Sequence, residues 1–126
     1  SYYLMIIGNG IDLVEIERIN SIYKKFQKNF IKKYFLNDKI EKLEVRALAN
    51  NFAIKEAFSK SLGLGFRDPC YRNSISVNRD NLGKPFVIPK SKLKKYLIEK
   101  YGNFVIHVSL SDTKKYSIAS VILEQT

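Results

Sequence analysis

A single cysteine, Cys70, stands in a chain of 126 residues. One thiol makes no intrachain disulfide and cannot build a cysteine zinc site. Long apolar runs are missing too: no stretch approaches the roughly 20 residues of a membrane-spanning helix. The start, Ser1 to Gly10, lacks the basic region and small-residue cleavage pattern of a signal peptide. These absences lead us to expect a soluble, cytoplasmic protein with no membrane span. Internal repeats, linkers and low-complexity stretches are also lacking. Neither the GxGxxG fingerprint nor the GxxxxGK phosphate loop occurs, so the common nucleotide folds are not indicated. The one histidine, His107, shares a strand face with Ser109, but nothing marks an oxyanion hole or a catalytic triad.

What is present fits one domain, residues 1–126, large enough to bury a core without staples. Hydrophobic residues make up 45% and charged residues 27%, an ordinary globular balance. The charge is not ordinary. Lysine and arginine total 22 against 12 acids, a formal +10. Such a field attracts anionic partners: nucleic acid, phosphorylated cofactors, acidic proteins or anionic lipid. A solvated lysine-rich surface would give the same count.

Hydrophobic patterning predicts an α+β domain, with a mostly antiparallel sheet packed with a long central helix. Tyr2 to Gly10 reads as a buried strand closed by Gly-Asn-Gly. A helix is expected from about Leu13 to Asn29, with Ile19, Ile22, Tyr23, Phe26 and Phe30 in one stripe. Arg18, Lys25, Lys28 and Lys32 cluster beside that stripe. A short helical turn is expected over Phe30 to Asn37. Asp38 to Leu62 is rich in helix formers and reads as one long helix stopped by Gly63 and Gly65. Two short strands, Ile75 to Asn78 and Phe86 to Ile88, flank a turn. Pro89 to Tyr101 suggests another helix. Two strands, Phe104 to Leu110 and Tyr116 to Glu124, finish the chain.

Four segments carry candidate chemistry. Asp12 is placed where the first strand hands over to a helix, a position that often presents functional groups. With Glu15 three residues later it also reads as a capping box. Glu56 and Lys60 lie at i and i+4 on the long helix, with Lys55 one step round. On an exposed helix that pair would be a surface contact of about 0.3–0.5 kcal/mol. Phe52, Ala53, Ala57 and Phe58 around it argue for a buried helix. Magnesium is usually held by one or two carboxylates plus substrate phosphates. Asp12 and Glu56 could form such a half-site, with Lys55 and Lys60 offsetting phosphate charge. Asn81-Leu82-Gly83-Lys84-Pro85 reads as a hairpin turn, or as a loop placing Lys84 near an anion. His107 to Thr113 holds a strand and an Asx-type turn at Asp112.

Together and in this order, these segments resemble the holo-acyl-carrier-protein synthase family of the 4′-phosphopantetheinyl transferase superfamily. The resemblance rests on Gly10-Ile11-Asp12-Leu13-Val14-Glu15-Ile16-Glu17-Arg18-Ile19, on Phe52 to Lys60 with Gly63 and Gly65 after it, on the Gly83-Lys84-Pro85 turn, and on His107-Val108-Ser109-Leu110-Ser111. It spans almost the whole chain. The resemblance implies magnesium-dependent transfer of 4′-phosphopantetheine from coenzyme A to a serine of apo acyl carrier protein. Adenosine 3′,5′-bisphosphate is released, and the reaction serves fatty acid biosynthesis. It implies magnesium on Asp12 and Glu56, with Lys60 on the phosphates. Gly63, Gly65, Lys84, Pro85 and Asp112 are expected at the coenzyme. A base takes the serine proton. The acidic carrier protein is expected to dock on Arg18, Ile22, Lys25 and Lys28, and the protein to be a homotrimer with active sites between subunits.

Two positions depart from the family pattern. Asp112 stands where many members have His, and an aspartate cannot imitate an imidazolium beside phosphate. Asn51 stands where many carry Arg before the Phe-Ala of the helix motif. Two other readings remain open on sequence grounds. One is a small nucleic-acid-binding module, since eight tyrosines and eight phenylalanines could stack on bases. No binding motif supports it, and the aromatics sit mostly at core periodicity. The other is an inactive homologue acting as a scaffold.

Overall fold

The computed structural model describes residues 5–126. Five strands and four α-helices follow one another: β1 (Met5–Glu15), α1 (Ile16–Phe26), α2 (Lys28–Tyr34), α3 (Val45–Leu62), a 3₁₀ turn (Arg72–Ser74), β2 (Ile75–Arg79), β3 (Pro85–Pro89), α4 (Ser91–Tyr101), β4 (Phe104–Asp112) and β5 (Tyr116–Gln125). The expected α+β class is what is seen. One antiparallel sheet has the order β1-β5-β4, and a separate hairpin pairs β2 with β3. Helix α3 lies against β1 and β5. Leu48, Ala53, Ile54, Ala57 and Phe58 of α3 are fully buried, as are Ala119, Val121 and Leu123 of β5.

The first strand differs from its sequence reading. Gly8-Asn9-Gly10 does not end it; β1 runs on to Glu15, paired with β5 in register, Asp12 opposite Ala119. The glycines serve contact rather than a turn. A methyl group on Gly8 would overlap the carbonyl oxygen of Ser61, and one on Gly10 that of Ala57. Backbone therefore meets backbone where β1 crosses α3. Tyr2 to Leu4, the start of the expected strand, lie outside the described residues. Asp12 is inside a strand, so it caps no helix. Helix α1 begins at Ile16, and its N-cap, Glu15, makes no side-chain capping bond.

The expected helix from Leu13 divides into α1 and α2 at Gln27, where φ is 50°. The long helix begins at Val45 rather than Asp38. Helix propensity loses to a tertiary contact here: Asp38 is drawn into an ion pair with Lys55 and accepts the Val77 N–H at 3.1 Å. The C-terminal stop is as expected. Gly63 takes the left-handed conformation (φ 72°) and its N–H bonds the Lys60 carbonyl.

The outer face of the β1-β5-β4 sheet is apolar and open. Ile11 and Leu13 are 60% and 63% exposed. They share that face with Ile118, Ile122 and Val105, which are also exposed.

Candidate active site

The contact of β1 with α3 brings together residues 12, 56 and 60, which the sequence separates. Strand alternation turns Asp12 to the α3 side, as its partner Ala119 is buried, while Ile11 and Leu13 face outward. The Lys60 ammonium donates to Asp12 Oδ1 at 2.9 Å and to the Ile11 carbonyl at 3.0 Å. Glu56 lies one turn earlier on α3. Desolvation raises the Glu56 carboxyl above the ordinary glutamate range, and the negative charge of Asp12 adds to that rise; Arg72, Lys60 and Arg18 pull the other way. Asp12, Glu56 and Lys60 are thus one cluster. Lys60 reaches to Asp12 instead of forming the surface pair with Glu56 that an exposed helix would have shown.

This donor set fits a hard divalent cation. Two carboxylates offer anionic oxygen, the donor type magnesium prefers. Among the described residues no group of three or more His, Cys, Asp or Glu could enclose a metal. An ion bound by Asp12 and Glu56 would therefore keep coordination positions for ligand phosphates, as magnesium sites usually do.

Lys55 has a different role from the one its sequence position suggested. It is 1% exposed, and all three of its protons are committed. They go to Asp38 Oδ1 at 2.8 Å, the Arg72 carbonyl at 2.8 Å and the Ile75 carbonyl at 3.2 Å. An ammonium has three donors, so none remains for a phosphate. Burial pulls its pKa below the usual lysine range, against the pull of Asp38. Lys55 is an internal brace between α3, the 3₁₀ turn and β2.

Sequence reasoning passed over Arg72. Its guanidinium lies between two rings, 4.6 Å from the Tyr34 centroid and 4.2 Å from the Phe66 centroid. One nitrogen stands 3.9 Å from Glu56 Oε1. An arginine that opens a three-residue 3₁₀ turn carries no periodic signal, so only the fold reveals it.

The other expected residues lie elsewhere. Asp112 is held by Arg46 at 3.0 Å and by Asn50 at 3.0 Å, and Asn50 in turn accepts the Ser117 hydroxyl at 2.6 Å. That ties the end of β4 to the first turns of α3. Asn51 is buried and bonds Asp38 and Arg79, at 3.1 and 3.2 Å. Lys84 and Pro85 sit at the β2–β3 turn, as the hairpin reading expected. The Asp80 carboxylate accepts the Leu82 and Lys84 N–H groups there, both at 2.9 Å. A groove of about 560 Å³ runs between this turn, the segment before α3, and Ala47 and Asn51 of α3. Lys39, Lys42 and Arg79 are among its basic lining residues; Asp12, Glu56 and Lys60 are not in it. On α1, Arg18 and Lys25 are exposed and Ile22 is half-buried, with exposed Lys28 opening α2.

Residues 8–120 match the model of the 4′-phosphopantetheinyl transferase superfamily. The chain belongs to this superfamily, and its class is that of a transferase enzyme. Among its relatives is the holo-(acyl-carrier-protein) synthase of Wigglesworthia glossinidia brevipalpis, 39% identical over 131 residues, 96% of this chain and 94% of the relative. The crystal structure of the Neisseria meningitidis holo-(acyl-carrier-protein) synthase is 34% identical, with a TM-score of 0.86, covering 94% of this chain and 98% of that one. A Bacillus anthracis holo-(acyl-carrier-protein) synthase, solved in complex with CoA (3′,5′-ADP), is 29% identical with a TM-score of 0.77, covering 97% and 99%.

Proposed function

We propose that this chain is a holo-acyl-carrier-protein synthase, moving 4′-phosphopantetheine from coenzyme A to a serine of apo acyl carrier protein with magnesium. The observation that carries this reading is the meeting of Asp12, Glu56 and Lys60 at the β1–α3 contact. The relatives' names and the coenzyme complex of a neighbour support the substrates. The serine oxygen bonds to the β-phosphorus as the bridge to the α-phosphate breaks. Adenosine 3′,5′-bisphosphate departs, and the serine proton is released. Bound magnesium supplies charge neutralisation on the diphosphate and its leaving oxygen.

The chain's own residues then do the following. Asp12 and Glu56 would hold the ion. Lys60 fixes Asp12 and keeps one proton for a phosphate oxygen. Gly63 and Gly65 turn the chain past the end of α3, where coenzyme backbone contacts are proposed. The groove beside Lys84, Pro85 and Asn51, where Lys39, Lys42 and Arg79 stand among Glu41, Glu44 and Asp80, is the proposed seat of the nucleotide end of an extended coenzyme. Asn51 cannot supply the cation many relatives place there, but it holds Arg79, which can. Asp112 has each oxygen engaged by Arg46 or Asn50, leaving only spare lone pairs for a coenzyme hydroxyl or amine.

Arg18, Lys25 and Lys28 with Ile22 are the proposed docking face for the acidic carrier protein. The apolar outer sheet face of Ile11, Leu13, Ile118 and Ile122 supports assembly of copies, which we take as a homotrimer. We place the reaction in the cytoplasm, in service of fatty acid synthesis. The test is mass spectrometry of apo acyl carrier protein incubated with this protein, coenzyme A and magnesium. One phosphopantetheine on one serine is expected, lost on chelation and slowed at least about 100-fold by Asp12→Ala or Glu56→Ala. Arg18→Glu with Lys25→Glu should weaken carrier binding and leave coenzyme affinity intact. No modification with intact magnesium would end the proposal.

A further inference from the structure

We propose that Arg72 binds the diphosphate of the incoming substrate directly, as a second cation beside Lys60. This rests on the transferase reading above and adds a substrate-binding residue to it. Three observations carry it. The first is position: the guanidinium stands 3.9 Å from Glu56, so it borders the metal half-site. That distance exceeds hydrogen-bond range, and Glu56 therefore leaves its donors uncommitted.

The second is orientation. Tyr34 and Phe66 hold the guanidinium between their rings. An arginine placed against ring faces retains its N–H groups for partners in its own plane. The backbone beneath it is also fixed, since the Arg72 carbonyl accepts the Lys55 ammonium at 2.8 Å. The side chain thus starts from an anchored point and ends in an aromatic clamp.

The third is an unmet need. Among the described residues the Arg72 side chain donates no hydrogen bond, and although its Nε is buried, 32% of the side-chain surface stays open to a ligand. A guanidinium has five donors in a planar fork that matches phosphate oxygens. Lys60, by contrast, already commits two of its three protons, to Asp12 and to Ile11. Of these two cations, Arg72 has the more donors to give. Asp12, Glu56, Lys60 and Arg72 balance in formal charge, so a divalent cation makes the cluster attractive to a diphosphate dianion.

The test uses the full chain with magnesium. Coenzyme A and adenosine 3′,5′-bisphosphate are titrated calorimetrically into wild type, Arg72→Met and Arg72→Lys. Methionine keeps the packing between Tyr34 and Phe66 and removes the donors; lysine keeps the charge and removes the fork. We expect Arg72→Met to weaken coenzyme A about 10- to 100-fold. Adenosine 3′,5′-bisphosphate, which lacks the transferred phosphoryl group, should weaken less, and Arg72→Lys should fall between. Magnesium affinity without coenzyme should be kept. Unchanged coenzyme affinity in both variants overturns the inference, as does an equal loss for both ligands. A loss of magnesium affinity without coenzyme would make Arg72 only a brace for Glu56, and also overturns it. Failure of wild type to bind coenzyme A would instead defeat the transferase reading itself.

Discussion

Lys55 and Glu56 are neighbours on α3, and their surroundings differ in kind. Lys55 is sealed, and its three protons meet a carboxylate and two carbonyls. Glu56 keeps 24% of its side-chain surface, and its nearest cation stops at 3.9 Å. Desolvation opposes the charge on both. Only at Lys55 does the protein answer that cost with complete hydrogen bonding. A saturated buried ion belongs to the architecture. A half-buried carboxylate grouped with another carboxylate, and lacking a close partner, is ready for a ligand.

Substitutions can break or sharpen this contrast. The largest stability loss is expected at the saturated site. Lys55→Met leaves the Asp38 carboxylate buried without its counter-ion, and should cost about 3–5 kcal/mol in urea denaturation. An Arg72→Met control should cost far less, because its ion pair is long and partly exposed.

Next comes the contact that builds the site. Gly10→Ala drives a methyl group at the Ala57 carbonyl and forces β1 away from α3. About 1–3 kcal/mol of stability should be lost. Magnesium-dependent coenzyme binding should fall by more than that loss explains, because Asp12 moves off Glu56.

The smallest effect is a pH dependence at Glu56. Its folded pKa is raised, mainly by desolvation. Its contribution to stability is therefore fully present below the unfolded pKa, roughly 4.3, and is lost as pH rises through the folded value. In chelator, Glu56→Gln should match wild type near that low pH and become the more stable protein towards neutral pH. Thermal melts across the pH range check this. A constant difference at every pH would mean the carboxyl is not disfavoured when ionised.

Part of this was legible in the chain. The apolar stripes and turn residues located β2, β3, α4, β4 and β5 to within a few residues, because local patterning and burial agree there. The motif residues Asp12, Glu56 and Lys60 were identifiable as a set. Their geometry was not. Gly8 and Gly10 look like strand breakers, yet they are the flat spots that let α3 approach. Asp38 sits in a run of helix formers, but a buried lysine 17 residues later takes it out of the helix. Arg72 lacks any sequence signal, since its meaning comes from Tyr34 and Glu56, distant in the chain, and from a loop phenylalanine, Phe66, that no periodicity ties to it.

One cation shared by two carboxylates underlies the proposed chemistry, and a calorimetric magnesium titration in the presence of coenzyme A tests that most directly. Wild type, Asp12→Asn, Glu56→Gln and the double variant form a cycle. If both side chains grip the same ion, either single change should remove nearly all the affinity that the double change removes. Losses that simply add, or a single variant binding as wild type does, would contradict the shared site.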